Sequence, residues 1–116
     1  MAKVLLFGLE SSIADELKSV LEQLRQTVQI ALPADTILEQ TEANVVFTAG
    51  QNLASIREKR PELPVVVVSR LPEVREWLDA LEHGAIDYCG APFEPSQVRW
   101  VLDSSLGALA GTRIAA

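Results

Sequence analysis

The chain has 116 residues, 48% of them apolar and 22% charged, with a net charge of −6 and one cysteine. That length fits one domain able to bury roughly two-thirds of its unfolded surface; the apolar content excludes wholesale disorder, and one cysteine excludes an internal disulfide or a zinc cluster. An acidic chain without a basic run is not expected to bind nucleic acid or membrane through its own field; no apolar run nears the roughly 20 residues of a membrane span, and the four apolar residues after Lys3 lack a cleavage pattern, so a cytoplasmic domain is expected.

Residues 4–7 form a short apolar run closed by Gly8, the pattern of a strand buried on both faces. Ser11 or Ser12 can cap the next element, with Asp15 three residues after Ser12 at capping-box spacing. Ile13, Leu17, Val20, Leu21 and Leu24 then predict an amphipathic helix over 12–26. Val28, Ile30 and Leu32 alternate as a strand with one face less buried. Pro33 opens a short helix, with Ile37 and Leu38 inward and Asp35, Glu39 and Glu42 outward. A third strand covers 44–48, and Ala49 to Asn52 form a turn. Leu53 and Ile56 lead a helix that must stop before Pro61. Pro64 introduces four consecutive valines, Val65 to Val68, the plainest strand in the chain. Residues 72–83 form a helix with Val74, Trp77, Leu78 and Leu81 on one stripe, and Gly84 stands where a left-handed cap belongs. A fifth strand covers 86–89. Pro95 begins a last helix carrying Val98, Val101, Leu102 and Leu106; residues 107–116 are small, weakly patterned and expected to fray.

Strand and helix alternate five times. Right-handed crossovers then give a parallel sheet, and a wholly apolar middle strand needs helices on both faces. The predicted class is α/β: a three-layer, doubly wound, five-stranded parallel sheet over residues 1–106, followed by a flexible tail.

The run Gly84-Ala85-Ile86-Asp87-Tyr88-Cys89-Gly90-Ala91-Pro92-Phe93-Glu94-Pro95 resembles the Gly-Ala-x-Asp-Tyr-x-x-Lys-Pro-Phe segment of response-regulator receiver domains. Ala80-Leu81-Glu82-His83 is similar to the end of their fourth helix, and residues 57–69 to their third helix and fourth strand. The likeness spans 3–106 in element order and is detailed over 57–106. It implies a CheY-like, flavodoxin-like (βα)5 fold and a role in bacterial two-component signal transduction.

The family's chemistry requires an acidic pair holding Mg²⁺, an acceptor Asp, a Ser or Thr, and a Lys, because a phosphoryl dianion beside carboxylates needs compensating cations. Here Gly8 and Leu9 occupy the acidic-pair positions, Thr48 the acceptor and Ala91 the Lys position. Glu10 alone is a weak Mg²⁺ site. Ser69 and Tyr88 match. The resemblance with these losses implies a pseudo-receiver that works without Asp phosphorylation, is not an enzyme, and needs no cofactor or metal.

The remaining singled-out residues carry ordinary structural readings. Thr48 is a strand-end residue whose hydroxyl satisfies nearby backbone. Ser69 lacks a base to activate it. His83 complements a helix C-terminus, Cys89 is a small buried hydrophobe, and Gly8 and Gly50 are tight turns. Ala91-Pro92 matches a bond that is commonly cis in the family.

Trp77 and Trp100 fall where the family keeps small residues, with Trp100 turned at least partly outward between Val98 and Val101. In receiver domains the fourth helix, fifth strand and fifth helix form the surface that dimerises or meets effectors. Trp77, Tyr88, Arg99 and Trp100, with Arg75 and Asp103 beside them, are therefore the expected contacts to a protein partner, an attached output domain or a second copy. The alternative function is small-molecule sensing at the carboxyl rim of the sheet: Gly8, Leu9, Glu10, Thr48, Ala49, Gly50, Ser69, Arg70 and Ala91, with Arg70 meeting an anion.

Overall fold

Short β-branched and aliphatic runs, each bounded by a turn residue, become five strands of one sheet. The computed structural model describes residues 3–32, 37–70, 74–90 and 93–110. Its elements are β1 (Lys3–Phe7), α1 (Ser11–Gln23), β2 (Thr27–Ala31), α2 (Ile37–Gln40), β3 (Val45–Thr48), α3 (Leu53–Lys59), β4 (Val65–Ser69), α4 (Val74–Glu82), β5 (Asp87–Gly90) and α5 (Pro95–Ala110), with a 3-10 turn at Gly50–Asn52 before α3. All four pairings are parallel and the order is β2-β1-β3-β4-β5. The chain steps outward once from β1 to β2 and then winds the other way, which places helices on both faces. One core layer joins α1 and α5 to Val4, Leu6, Phe47 and Val66; the other joins α2, α3 and Ala80 of α4 to Leu5, Val46, Val65 and Val67. The predicted fold class is the observed one.

Several element details depart from the sequence pattern. Glu10, not a serine, is the N-cap of α1, and no side chain caps it. α1 ends at Gln23 instead of running to residue 26. Its last turn closes in a Schellman arrangement: the Gln26 amide donates to the Leu21 carbonyl and the Arg25 amide to that of Glu22, both at 3.0 Å. Arg25 holds the left-handed position at φ 64°. Helical spacing at Leu24 concealed this stop, because Leu24 still packs on the core as the C-cap.

β2 lies at the sheet edge, and Ile30 and Leu32 are exposed, so the alternating apolar set falls on its poorly covered side. β5 starts one residue later than its pattern, at Asp87. α5 continues through Ala110, beyond the last patterned residue. Gly84 has φ +100° as its cap position requires, and a Cβ there would come within 2.7 Å of Arg57 Nε. Gly8 is left-handed at φ 66°. Gly50 is not, and a Cβ there would meet only Val67 Cγ1 at 3.7 Å. The expectations for Pro33 and Asp35, for the start of the fourth helix at residue 72, for Ala91 and the Ala91-Pro92 bond, and for residues 111–116 lie outside the described residues.

α4 holds the largest departure. A helix on a sheet ordinarily turns its apolar stripe to the core. Here Val74, Trp77, Leu78 and Leu81 are 66%, 43%, 53% and 38% exposed, and Ala80 is the buried residue of the helix.

Candidate functional site

The strand ends and helix starts bring the rim residues together. Gly8 and Leu9 follow β1, Ala49 follows β3, and Ser69 ends β4 with Arg70 after it. With α4 standing alongside, they enclose an open cleft of about 710 Å³. Its floor is apolar, formed by Ile13, Leu53, Ala54, Val67 and Ala80. Its charged groups are Glu10, Arg70, Glu76 and Asp79, beside His83. α4 therefore presents Glu76, Asp79 and His83 to the cleft and its apolar stripe to solvent.

Thr48 is fully buried, below the cleft. Its hydroxyl donates to the Phe7 carbonyl at 2.6 Å and accepts from Asn52 Nδ2 at 3.2 Å. That is the backbone-satisfying role read from its place at a strand end. Arg70 extends across the rim, donating to the Ser12 hydroxyl and standing 3.6 Å from Glu10 Oε1. The arginine expected to meet an anion is thus engaged by α1 and its N-cap. Ser69 is half-buried and lines the cleft. Among the described residues no group of three or more His, Cys, Asp or Glu could hold a metal ion. Ala91, at the position of the family's lysine, lies outside the described residues.

His83 is held as a helix-end residue. Its Nδ1 lies 2.7 Å from the Asp79 carbonyl, which can only accept, so Nδ1 carries the proton. Cys89 is buried, and loss of solvent, followed by the charge of Asp87, pushes its thiol up to about 11. A thiol held protonated in this way is a poor nucleophile.

The second candidate surface surrounds β5. Tyr88 is half-buried on β5, and its hydroxyl donates to Glu76 Oε1 of α4 at 3.0 Å. Trp100 on α5 is 66% exposed, more than an indole folded over its own helix would be. Beside it Arg99 and Asp103 form an i,i+4 pair at 3.8 Å; both are largely exposed, so the pair adds little stability. Trp77 is exposed with the rest of the α4 stripe. The sequence places all four residues on one stripe, but of the four only Trp77 is an expected contact. Helical spacing finds such a stripe but cannot tell which way the helix is rolled.

The fold is that of response-regulator receiver, CheY-like domains. NtrX from Brucella abortus superposes with a TM-score of 0.81 at 24% identity; the likeness covers 97% of this chain and 29% of that one. A CheY-like response regulator receiver domain protein from Methanospirillum hungatei gives 0.79 at 18% identity, over 97% of this chain and 99% of that one. The beryllofluoride-activated NtrC4 receiver domain dimer gives 0.79 at 19% identity, over 94% and 99%. This chain thus spans less than a third of the NtrX chain and nearly all of the other two. No family model matches the chain, and no curated protein matches it. No helix among the described residues is long and apolar enough to cross a membrane.

Proposed function

We propose that this chain is a pseudo-receiver: a non-catalytic signalling domain that works by docking protein through the α4–β5–α5 side, without phosphorylation at Asp. The observation that carries docking is the α4 stripe. Four large apolar residues on one helix, with a fifth on α5, form the kind of exposed surface that marks an interaction site on a soluble domain. Independence from phosphorylation is supported by the rim. Thr48 offers no carboxylate, its hydroxyl already has two partners, and Gly8 and Leu9 offer no metal ligand. The partner is a protein, an attached output domain or a second copy, in a bacterial regulatory pathway and in the cytoplasm.

The test places a photo-crosslinking amino acid at position 78 of the chain in cells, with position 22 on exposed α1 as control. Protein adducts at 78 and not at 22 are expected; equal yields at both positions would overturn the docking role. Incubation with acetyl phosphate and Mg²⁺ followed by intact-mass measurement is expected to leave the mass unchanged. A stoichiometric phosphoryl adduct would refute the phosphorylation-independent reading.

The rim cleft favours a second reading, small-molecule sensing. Its apolar floor below charged walls suits a compact ligand with one polar end. Native mass spectrometry of freshly purified protein would reveal such a ligand as an added mass released on denaturation.

A further inference from the structure

The α4 stripe has a symmetry of its own. Val74, Trp77, Leu78 and Leu81 are placed evenly about the midpoint between Trp77 and Leu78. A two-fold axis through that point lays α4 antiparallel on its copy, with Val74 facing Leu81 and Trp77 facing Leu78. One flank of the stripe, beyond Leu78, carries Arg75 and Glu82. At about 100° per residue these two fall some 20° apart on the wheel. Both are exposed, and neither has a hydrogen-bond or ion-pair partner among the described residues. The opposite flank holds Ala80, buried on the molecule's own core.

A two-fold perpendicular to both helices brings like flanks together. At about 1.5 Å per residue, Arg75 of one copy then lies about 3 Å along the axis from Glu82 of the other, and symmetry makes the pair twice. A parallel pairing, with its two-fold along the helices, would instead bring the Arg75–Glu82 flank of one copy against the Ala80 flank of the other and leave both charges unpaired. Charge and apolar spacing therefore select the same arrangement.

We infer that the occupant of the α4 stripe is α4 of a second copy of this chain, packed antiparallel and fixed in register by two Arg75–Glu82 cross-pairs. This rests on the docking role proposed above and names its partner. Two nine-residue helices make a small interface, so the dimer is weak and reversible.

Sedimentation velocity of the full chain over a dilution series, at low salt, tests it with four proteins: wild type, Arg75→Glu, Glu82→Arg and the double variant. The expected result is a concentration-dependent dimer that each single reversal weakens by roughly tenfold and the double reversal restores toward wild type. These positions are on the surface, so folding is not at risk; circular dichroism of each variant checks this. A dimer indifferent to the single reversals, or one the double reversal fails to rescue, overturns the register. A wild type that stays monomeric to about 1 mM overturns the second copy as occupant. In that last case, an adduct at position 78 of a mass other than twice the chain leaves docking standing, whereas no adduct refutes docking as well.

Discussion

Truncating one residue of the α4 stripe separates a solvent-facing helix from an ordinary core-facing one. Leu78 is 53% exposed and Leu21, on α1, is fully buried. Burying a whole leucine is worth about 1.5–3 kcal/mol, so less than half of that, about 1 kcal/mol, is at stake at Leu78. The site adjoins solvent, so truncation leaves no enclosed cavity, and alanine is the better helix former by a few tenths of a kcal/mol. Leu78→Ala should therefore destabilise the monomer by about 0.5–1 kcal/mol. Leu21→Ala removes a side chain packed on all sides and should cost about 3–5 kcal/mol, transfer and cavity terms together. Urea unfolding followed by circular dichroism, at a concentration low enough to keep the chain monomeric, measures both against wild type with m as the control for two-state behaviour. Equal losses at the two positions would refute the account: α4 would then bury its stripe in solution, and both the docking surface and its self-pairing would fall with it.

Three other outcomes are expected. Arg25→Gly relieves the left-handed backbone at φ 64° and should raise stability by about 0.5–1 kcal/mol in the same urea assay; a loss there would show that the arginine side chain matters more than the turn. Thr48→Val keeps the shape but leaves the Phe7 carbonyl and Asn52 without their partner, so a loss of about 1–3 kcal/mol is expected, and an unchanged urea midpoint would refute the buried hydrogen bonds. Cys89 ionises in the unfolded chain near its ordinary value of about 8.5 and in the folded chain only at about 11. Its contribution is therefore complete below about pH 8.5 and is lost as pH climbs toward 11, about 3 kcal/mol in all. Cys89→Ala should flatten that alkaline loss in thermal melts taken from pH 8 to 11; an identical pH profile would argue against a buried thiol.

The five strands and their parallel sheet are legible in local patterns because parallel strands buried on both faces must be apolar throughout, as 4–7 and 65–68 are. The Thr48 hydroxyl donates to backbone, as its strand-end position implies, but the Asn52 side chain that donates to it lies in the turn four residues on and has no signature in the sequence. Where the reading failed, local pattern and tertiary placement diverged. The end of α1 was hidden because Leu24 keeps the helical spacing while serving as a cap, and nothing in the letter Arg25 announces a positive φ. The cap at Glu10 was missed because two serines offered a better local match, yet Ser12 bonds Arg70, 58 positions away. The roll of α4 is the clearest case. A stripe of Val, Trp and Leu specifies an apolar face, but whether that face meets its own sheet or another surface depends on what else can cover the sheet. Ala80 does so here on the cleft side, and no spacing rule contains that fact.

Uneven burial gives the sheet an uneven resistance to opening. β3 and the first four residues of β4 are buried throughout, whereas in β2 only Ala31 is. Breaking β1–β2 pairing exposes little apolar surface; breaking β1–β3 or β3–β4 exposes the centre of both core layers. Amide protons of β2 should thus exchange with deuterium through small local fluctuations, while those of β3 and β4 wait for the whole domain to unfold. The domain carries a labile margin along β2, at the opposite edge of the sheet from β5 and its docking surface.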